Sequence, residues 1–441
     1  MLRWTVHLEG GPRRVNHAAV VIGEKIYSFG GYCTGEDYES RLPIDIHVLD
    51  TISLRWHLLP TPDKFEMNVS VPYQRYGHTA VSHQDSAYIW GGRNDSDGAC
   101  NILFMFNTLS SSWSRVEVNG DIPGARDGHS ACIINDKMYI FGGYEEQIDR
   151  FSDDIYSFEF ATSTWTHIRT KGRPARWRDF HTAVGVGDVM YVFGGRSDQG
   201  GDMFTNMELY CNTMHTFDTV AYKWHQPFTH GIIPMGRRIS HENCVYIFGG
   251  YNGNHDLHFK DLFKYDTISK RWSLVEVRGE GPCARRRQCC CKVGTRVYMF
   301  GGTSPNTTIS ASGEEDVMLT DLSDLHVLDL SPSLKTLTQL AVIQFRLDTS
   351  CLPRDIRCAS VLYITVCYVT IGDVNRFPKV FTRVDAAVNS AFLGPSPRHA
   401  LCGEGERNVA FTAQHDNAPV PVHPRRHVGK RLVCRLLCVC S

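Results

Sequence analysis

The chain has 441 residues, of which 42% are hydrophobic and 21% charged, and its formal net charge is -1. This composition is that of a globular chain with an ample core, and the nearly neutral charge excludes a protein that binds nucleic acid mainly by electrostatic attraction. Nucleic-acid binding is therefore not expected, although association with chromatin stays open. The most apolar run, residues 359–371, is about 13 residues long, whereas a membrane-spanning helix needs roughly 20, so no membrane segment is predicted.

The chain contains 16 cysteines, which bear on its redox compartment. It begins MLRWTVHLEG, without an apolar signal core, so we expect a reducing compartment, free thiols and a cytoplasmic location, with a nuclear one left open. Three cysteines are adjacent, Cys289 to Cys291. Neighbouring side chains of a strand point to opposite faces, so these thiols cannot share one ion and are interpreted as buried free cysteines. No metal and no cofactor is predicted.

A double glycine that follows a run of β-branched or aromatic residues recurs six times. The first glycines of the pairs are Gly30, Gly91, Gly142, Gly194, Gly249 and Gly301, separated by 51 to 61 residues. A period of about 50 residues built from strand-like units is typical of kelch propellers, in which each repeat is one four-stranded blade. The sequence therefore predicts an all-β fold, a six-bladed kelch β-propeller over residues 1–330.

A tryptophan follows each of the first five glycine pairs. These residues are Trp56, Trp113, Trp165, Trp224 and Trp272. The sixth repeat has VLDLSPSLK at this point and lacks the tryptophan, whereas Trp4 stands before the first glycine pair. We therefore expect the N-terminal strand to complete the sixth blade and close the ring, which would remove exposed sheet edges.

Between blades, an arginine recurs three residues before a histidine. The arginines are Arg14, Arg75, Arg126 and Arg178, continued by Arg238 before His241 and by Arg286 before Cys289. The histidines are too regular for a metal site and are interpreted as buried, hydrogen-bonded blade residues. The fifth repeat is shortened, because only five residues separate His241 from Tyr246 where the first four repeats have ten.

The strand pattern stops after Leu330, and a helix is predicted with Ser331 as N-cap and Pro332 as its first residue. Leu334, Leu337 and Ala341 recur at three- and four-residue steps, and further apolar residues cover much of the remaining surface. Such a helix needs a partner. From the pattern alone, the apolar stripe is expected either to pack on the propeller or to bind a groove of another protein.

Two short motifs lie in this segment, Thr336-Leu337 with Ala341 and Phe345, and Leu352-Pro353-Arg354-Asp355-Ile356. The first is similar to a BC-box and the second to a cullin-2 box, so the segment resembles the adaptor-binding boxes of kelch-repeat substrate receptors of cullin-2 ubiquitin ligases. The resemblance extends to VPYQRYGH, PGARDGHSAC and GPCARRRQCCC, and covers residues 1–357. It implies a short α-helical BC-box and cullin-2-box segment over residues 331–357. It also implies that elongin C with elongin B, and cullin-2 with its RING subunit, are partners held through Thr336, Leu337, Leu340, Ala341, Phe345, Leu352, Pro353 and Ile356.

Residues 358–441 do not share the resemblance. They contain six cysteines and ten Lys/Arg against five Asp/Glu, without a readable period. We expect an irregular tail that is either disordered or translated from non-coding sequence.

The resemblance further implies that the top of the propeller binds the free C-terminus of client proteins, often one that ends in glycine. Arginine suits such a site because its planar guanidinium makes bidentate contacts with a carboxylate. On this basis Arg237, Arg238 and Ser240 are expected to hold the carboxylate, with Arg178 beside them and Trp177 as a wall. The remaining residues expected around the same mouth are Tyr32, Arg93, Arg126, Tyr144, Arg196 and Tyr251. The alternative for each arginine is a salt bridge at the rim or between blades.

Two other functions remain to be compared with a ligase receptor. A non-ligase kelch scaffold that binds cytoskeletal or chromatin proteins would show no preference for free C-termini. An enzyme is not predicted, because the sequence contains no nucleophile motif, phosphate-binding loop or spaced metal ligands. The triplet Arg285-Arg286-Arg287 would suit a nucleic-acid patch, but it stands alone in one loop.

Overall fold

A computed structural model describes residues 2–35, 42–61, 70–236, 246–309 and 315–345 of the chain. The predicted tail, residues 358–441, lies outside these ranges, so its boundaries stay a prediction. The described part consists almost entirely of strands. In the first half these are β1 (Arg3–Leu8), β2 (Ala18–Ile22), β3 (Lys25–Phe29), β4 (Ile46–Asp50), β5 (Arg55–Leu58), β6 (Tyr76–His83), β7 (Ser86–Asn94), β8 (Gly98–Ala99), β9 (Leu103–Asn107), β10 (Ser112–Arg115), β11 (Asn119–Gly120), β12 (Ser130–Ile134), β13 (Lys137–Phe141), β14 (Tyr144–Glu145), β15 (Arg150–Phe151), β16 (Ile155–Glu159) and β17 (Thr164–His167).

The strands of the second half of the chain repeat the same pattern. They are β18 (Asp179–Val186), β19 (Val189–Asp198), β20 (Glu208–Tyr210), β21 (His215–Asp218), β22 (Lys223–His225), β23 (His230–Gly231), β24 (Tyr246–Phe248), β25 (Tyr251–Asn252), β26 (Leu257–His258), β27 (Leu262–Asp266), β28 (Arg271–Leu274), β29 (Cys289–Val293), β30 (Arg296–Phe300), β31 (Thr303–Ile309), β32 (Glu315–Asp321) and β33 (Leu325–Asp329). One 3-10 turn (Glu146–Ile148) and one helix, α1 (Leu334–Gln344), complete the described elements.

These strands form six antiparallel blades, which confirms the predicted six-bladed propeller. The main ladders run β2-β3-β4-β5, β6-β7-β9-β10, β12-β13-β16-β17, β18-β19-β21-β22, β24-β27-β28 and β29-β30-β33-β1. The shortened part of the fifth repeat, residues 237–245, lies outside the described residues. Two segments between blades, β11 and β23, add parallel to the outermost strands β17 and β28 of the blades that follow them.

The N-terminal strand closes the ring as predicted. β1 pairs antiparallel with β33, with Trp4 opposite Leu328 and Leu8 opposite Leu325. The last blade therefore takes three strands from the end of the propeller sequence and one from its beginning. Closure in this way leaves the outer edge of β33 paired, so the edge is not available for association with other chains.

The core lies between the blades, where one aromatic pair recurs at all six interfaces. In each pair the aromatic residue that precedes a glycine pair packs against the tryptophan of the following blade. The pairs and their ring-centroid distances are Phe29–Trp113 (5.8 Å), Trp90–Trp165 (5.7 Å), Phe141–Trp224 (4.9 Å), Phe193–Trp272 (4.8 Å), Phe248–Trp4 (5.8 Å) and Phe300–Trp56 (5.0 Å). Trp4 thus takes the place of the tryptophan that the sixth repeat lacks.

Backbone hydrogen bonds at the glycine pairs join each blade to the next. The second glycine donates to the carbonyl of an arginine in the following blade. These bonds are Gly31 to Arg75 (2.8 Å), Gly92 to Arg126 (2.9 Å), Gly143 to Arg178 (2.8 Å), Gly250 to Arg285 (2.9 Å) and Gly302 to Arg14 (2.9 Å). The approach requires glycine: at Gly91, where φ is 70°, an added Cβ would lie 2.4 Å from Cε1 of His129.

The buried arginines return a side-chain hydrogen bond to their own blade. Arg75, Arg126, Arg178 and Arg285 donate to the carbonyls of Gly91 (3.3 Å), Gly142 (3.2 Å), Gly194 (2.9 Å) and Gly301 (3.2 Å). The predicted column therefore continues at Arg285, and its assignment to Arg286 is wrong. Gln288 replaces the histidine at this blade, so the three-residue spacing has to be counted from Gln288 and not from Cys289.

The helix α1 follows the blade that closes the ring. Its cap is Ser333, whose Oγ accepts a hydrogen bond from the backbone of Thr336 at 3.1 Å, so the predicted N-cap at Ser331 is wrong by two residues. The backbone N–H of Ser331 instead bonds the carboxylate of Asp329 at 2.9 Å, which completes the last turn of the blade. Within the described ranges, no helix is long and apolar enough to span a membrane.

Candidate functional site: the propeller mouth

The glycine pairs mark one end of the propeller, and this end carries a cavity of about 390 Å³ that we call the mouth. Two of the predicted residues, Tyr32 and Arg93, line it. The other lining residues are Asn16, Cys33, Thr34, Gly35, Tyr76, Asp95, Asp127, Phe180 and Arg287. The prediction that residues directly after the glycine pairs surround a common opening therefore agrees with the structure at these two positions.

Beneath the mouth, backbone hydrogen bonds link one described residue from each of five blades around the axis. In each of the first four blades, the residue that precedes the column histidine donates its N–H to the carbonyl of the equivalent residue in the preceding blade, which in the last blade is Arg287 before Gln288. The bonds run from Asn16 to Arg287 (3.3 Å), Gly77 to Asn16 (3.0 Å), Gly128 to Gly77 (2.9 Å) and Phe180 to Gly128 (2.7 Å). All five residues have positive φ, from 47° at Phe180 to 68° at Gly77. The inner rim is thus held by main-chain bonds at these five positions.

The predicted arginines that lie near the mouth are ion-paired. Arg93 pairs with Glu146 of the next blade at 2.9 Å. Arg196 forms a two-pronged contact with Asp179 and also pairs with Glu208 at 3.1 Å. These arginines hold loops together, which agrees with the alternative of salt bridges at the rim.

The predicted tyrosines lie at the same end of the propeller in separate surroundings. The hydroxyl of Tyr144 bonds Asp149, and burial together with this bond raises the pKa of Tyr144 to about 12. The hydroxyl of Tyr251 donates to Asp256 at 2.9 Å, and the guanidinium of Arg286 lies 4.1 Å above its ring. Neither tyrosine lines the mouth cavity.

Two arginines predicted for the pocket lie inside the blades. Arg126 and Arg178 are both buried and belong to the column described above. Arg126 also pairs with Glu145 at 3.0 Å, and Arg178 donates to the carbonyl of Arg176 at 2.8 Å. Their guanidinium groups bond other groups of the blades, so their assignment to ligand contact is corrected to a structural role.

The remaining pocket predictions are placed as follows. Trp177 is half-buried, with the guanidinium of Arg176 at 4.8 Å above its ring. Arg237, Arg238 and Ser240 lie outside the described residues. Their role in carboxylate binding therefore stays a prediction.

The Arg285-Arg286-Arg287 triplet is distributed over three environments and forms no common patch. Arg285 is buried in a blade and Arg286 lies over Tyr251, whereas Arg287 points to the mouth. Arg287 donates to the hydroxyl of Tyr32, and its guanidinium lies 5.9 Å from the Tyr32 ring and 6.0 Å from the Phe180 ring. No carboxylate among the described residues forms an ion pair with Arg287.

Sequence analysis missed Arg287 as a mouth residue because the arginine column was placed one residue too far along. Counted from Gln288, Arg287 falls at the position of Asn16, Gly77, Gly128 and Phe180. Aligning RRRQ with RVNH, RYGH and RDGH would have placed Arg287 at this position. Aligned in this way, the last blade presents a cation to the axis where two others present glycine.

Asp127 is a buried acid that lines the mouth and was also missed. Burial, and then the negative charge of Asp179, raise the pKa of Asp127 to about 7, against the lowering effect of Arg93. Near neutral pH its charge is therefore only partly developed.

The column histidines line a smaller channel cavity of about 100 Å³ along the axis. His129 and His181 bond the hydroxyls of Thr79 and Ser130, each at 2.7 Å, as the buried-histidine interpretation expects. At His17 the prediction fails in part, because the residue is buried but neither ring nitrogen has a hydrogen-bond partner among the described residues. Burial lowers the pKa of His78 to about 3, so the lining is uncharged there. Among described side chains, one group is close enough to share a metal ion, namely His7, Asp324 and His326, but both oxygens of Asp324 already accept hydrogen bonds from Arg285.

The three adjacent cysteines are free thiols; Cys290 and Cys291 are buried as predicted, whereas Cys289 is only half-buried. Cys290 packs in the interface between the fifth and sixth blades, and Cys291 packs in the interface between the sixth and first. The adjacent side chains of Cys290 and Cys291 in β29 thus point to opposite faces of the blade.

A second candidate surface is the outward face of α1, which begins beyond the end of β33. Because β33 runs antiparallel to β30, α1 starts at the end of the blade remote from the glycine pair. Leu334, Leu337 and Phe345 are 80%, 40% and 66% exposed. Together with half-buried Ala341, they occupy one helix face, which we call the adaptor stripe.

The other predicted adaptor residues are placed differently. Leu340 is half-buried, and Thr336 is buried with its hydroxyl 2.9 Å from that of Ser333. Thr336 therefore supports the helix start and its assignment to adaptor contact is corrected. Leu352, Pro353 and Ile356 lie outside the described residues and stay predictions.

Six closed blades with glycine pairs at one end define a kelch-repeat propeller protein. The model of the KLHDC2/KLHL20/DRC7 Kelch-repeats domain matches residues 77–302, and the Kelch motif model matches residues 13–63. The chain belongs to the Kelch domain-containing protein 3 family. It is 54% identical over 363 residues to Kelch domain-containing protein 3 of Bos taurus, across 81% of this chain and 94% of that protein. The Homo sapiens protein of the same name is 54% identical over 364 residues, with the same coverage.

More distant similarities extend to other propellers. Host cell factor 2 of Homo sapiens is 28% identical over 255 residues, which span 54% of this chain and 31% of that protein. The solved structure of YjhT aligns with a TM-score of 0.50 at 16% identity, over 70% of this chain and 96% of that structure. The likeness to YjhT concerns the propeller fold alone.

Proposed function

We propose that the protein is the substrate receptor of a ubiquitin ligase that contains elongin B, elongin C, cullin-2 and its RING subunit. In this proposal α1 binds elongin C, and the mouth binds the free C-terminus of a client that ends in glycine. The client is then ubiquitinated by other subunits and degraded, so the receptor itself performs no catalysis.

The observation that carries the proposal is the exposed adaptor stripe directly after the closed propeller. Thr336, Gln339 and Val342 are buried and form the opposite face of α1, so the helix has its own support and still presents Leu334, Leu337 and Phe345 outward. Exposed apolar side chains at such spacing suit a hydrophobic groove of another protein. A helix buried on all sides would have left no surface for an adaptor.

Replacing Leu337 with aspartate is expected to weaken binding of elongin B/C about 100-fold, because a charge would enter an apolar groove unpaired. The helix itself tolerates the change, since a negative charge near its N-terminus interacts favourably with the helix dipole. Isothermal titration of the purified receptor with elongin B/C measures the effect.

The matched control is Lys335→Asp, which places the same residue two positions earlier on the exposed surface but away from the adaptor stripe. This variant should bind elongin B/C as the unmodified protein does. Equal binding by Leu337→Asp and Lys335→Asp would contradict the assignment of α1 to the adaptor.

Arg287 supports the second half of the proposal. Its guanidinium lines the mouth beside the Tyr32 hydroxyl and the Phe180 ring, and its described partner is a phenol. A client carboxylate would give this cation a charged acceptor, and such hydrogen bonds are shorter and stronger than neutral ones. An amide at the same place would offer no charge, so free C-termini would be preferred.

Arg287→Gln is expected to weaken binding of a glycine-ended peptide about 10- to 100-fold, the loss of one charge-assisted hydrogen bond. Fluorescence polarisation with a labelled peptide, as the free acid and as the C-terminal amide, measures it. The control is Arg271→Gln on the exposed outer strand of the fifth blade. If acid and amide bind the unmodified protein equally, the mouth is not a C-terminus receptor and the scaffold alternative is favoured.

A further inference from the structure

Phe180 has a backbone conformation that an aromatic residue rarely adopts. Its φ is 47°, in the left-handed region where a Cβ is disfavoured and glycine is the usual occupant. The equivalent residues are Gly77 and Gly128 in the second and third blades, and Asn16 and Arg287 in the first and sixth, so Phe180 is the one aromatic residue among the five described. A bulky side chain kept at such a position indicates a role for the side chain, because strain of this kind concentrates at ligand-binding sites.

The surroundings of Phe180 fix its position. Its N–H donates to the carbonyl of Gly128 at 2.7 Å. A Cβ added at Gly128 would lie 3.4 Å from two ring atoms of Phe180, so the ring extends over the neighbouring blade. The Arg287 guanidinium lies 6.0 Å from the ring centroid.

Phe180 also belongs to both axial cavities. The mouth, of about 390 Å³, and the channel cavity, of about 100 Å³, share two lining residues, Asn16 and Phe180. The channel beyond Phe180 is lined by histidines whose charge burial suppresses and by small residues such as Ala18 and Ala131. It has space for an aliphatic group once the ring is removed.

We infer that Phe180 is the floor of the mouth and the residue that restricts the last position of a client to glycine. This inference rests on the proposed binding of C-termini at the mouth. With the carboxylate on Arg287, which lies beside the Phe180 ring, a side chain on the terminal residue would be directed against that ring. Glycine has no side chain and is accepted, whereas a longer residue is excluded by contact with the floor.

Phe180→Gly joins the two cavities without disturbing the main chain, because glycine adopts the φ of position 180 readily. Affinity of the variant for a leucine-ended peptide should rise about tenfold or more over that of the unmodified protein, the range typical of creating or filling an apolar pocket. The quantity compared is the ratio of the affinity for the leucine-ended peptide to that for the glycine-ended peptide, which should rise about tenfold or more. Phe180→Ala should act in the same direction.

The experiment is fluorescence polarisation with two free-acid peptides that differ only in the last residue, glycine or leucine, and with the glycine peptide as its amide. Phe204→Ala is the control, because Phe204 packs near Tyr144 and Phe151 at the same end without lining the mouth. Thermal unfolding of each variant reports that it is folded.

Different comparisons test the role of Phe180 and the binding of free C-termini at the mouth. A preference of the unmodified protein for the acid over the amide, together with unchanged rejection of leucine by Phe180→Gly, would overturn the role of Phe180 and leave the C-terminus receptor standing. Equal binding of acid and amide by the unmodified protein would overturn both. Gain of leucine binding in Phe180→Gly, with none in Phe204→Ala, is the expected result.

Discussion

Replacing Trp4 with alanine is expected to lower the free energy of unfolding by about 3–5 kcal/mol, the usual loss for a large aromatic residue in a core. Trp4 is buried, packs edge-on against Phe248 at 5.8 Å, and donates its backbone N–H to the carbonyl of Arg278 at 2.8 Å. It also anchors β1, which pairs with β33 although the two strands come from opposite ends of the propeller sequence and no turn connects them. Urea unfolding followed by fluorescence measures the loss.

The control for Trp4 is Trp224→Ala, which removes the same kind of aromatic pair, with Phe141, from the middle of the ring. Both variants should lose similar core energy, but only Trp4→Ala should also release a strand. Hydrogen exchange of residues 3–8 and of β33 should therefore accelerate in Trp4→Ala and stay slow in Trp224→Ala. Native exchange in β1 of Trp4→Ala would show that the strand is held without its tryptophan and would contradict this account.

The propeller could be predicted because each blade repeats the same physical demands. An aromatic residue, two glycines and a tryptophan recur since the blades meet through the same contact six times. Trp4 was predictable by counting, because a six-fold interface with five downstream tryptophans needs one from elsewhere. Local start and stop signals were less informative: Ser331 resembles an N-cap, yet its backbone completes the turn with Asp329, and Ser333 caps the helix.

The mouth could be predicted only in part, because side-chain pairing depends on loops that differ between blades. Sequence analysis placed Tyr32 and Arg93 at the opening, but Glu146, which neutralises Arg93, comes from a loop of the next blade. The letters RDFH alone do not indicate the positive φ of Phe180, and only alignment with RYGH and RDGH, where glycine occupies the same position, would have suggested it. From the sequence, Arg126 and Arg178 were expected at the mouth, but both are buried inside the blades. An arginine that recurs in every blade serves the contact that every blade repeats, so its recurrence indicates a structural role.

Arg285→Met is expected to destabilise the propeller by about 3–5 kcal/mol at pH 7, because it leaves the carboxylate of Asp324 buried without its charged partner. The two terminal guanidinium nitrogens of Arg285 each lie 2.6 Å from one Asp324 oxygen, and both side chains are buried. The double variant Arg285→Met, Asp324→Leu removes the charge together with its partner. It should therefore be more stable than Arg285→Met alone, as measured by urea unfolding.

The pH dependence distinguishes this ion pair from simple packing. Burial by itself would raise the pKa of Asp324, but hydrogen bonds from Arg285 and His326 outweigh it and hold the pKa well below 3.8. A lowered folded pKa means that the stabilisation is complete above the unfolded value of about 3.9 and is lost as the pH falls below it. In Arg285→Met that lowering is largely removed, so protonation of the folded variant relieves its unpaired buried charge. The unmodified protein instead loses stability over this interval, because its unfolded chain takes up a proton that its folded form does not. The difference in unfolding free energy between the two should shrink from pH 7 towards pH 3, and a difference that stayed constant over this interval would mean that Arg285 acts through its packing and its bond to Gly301.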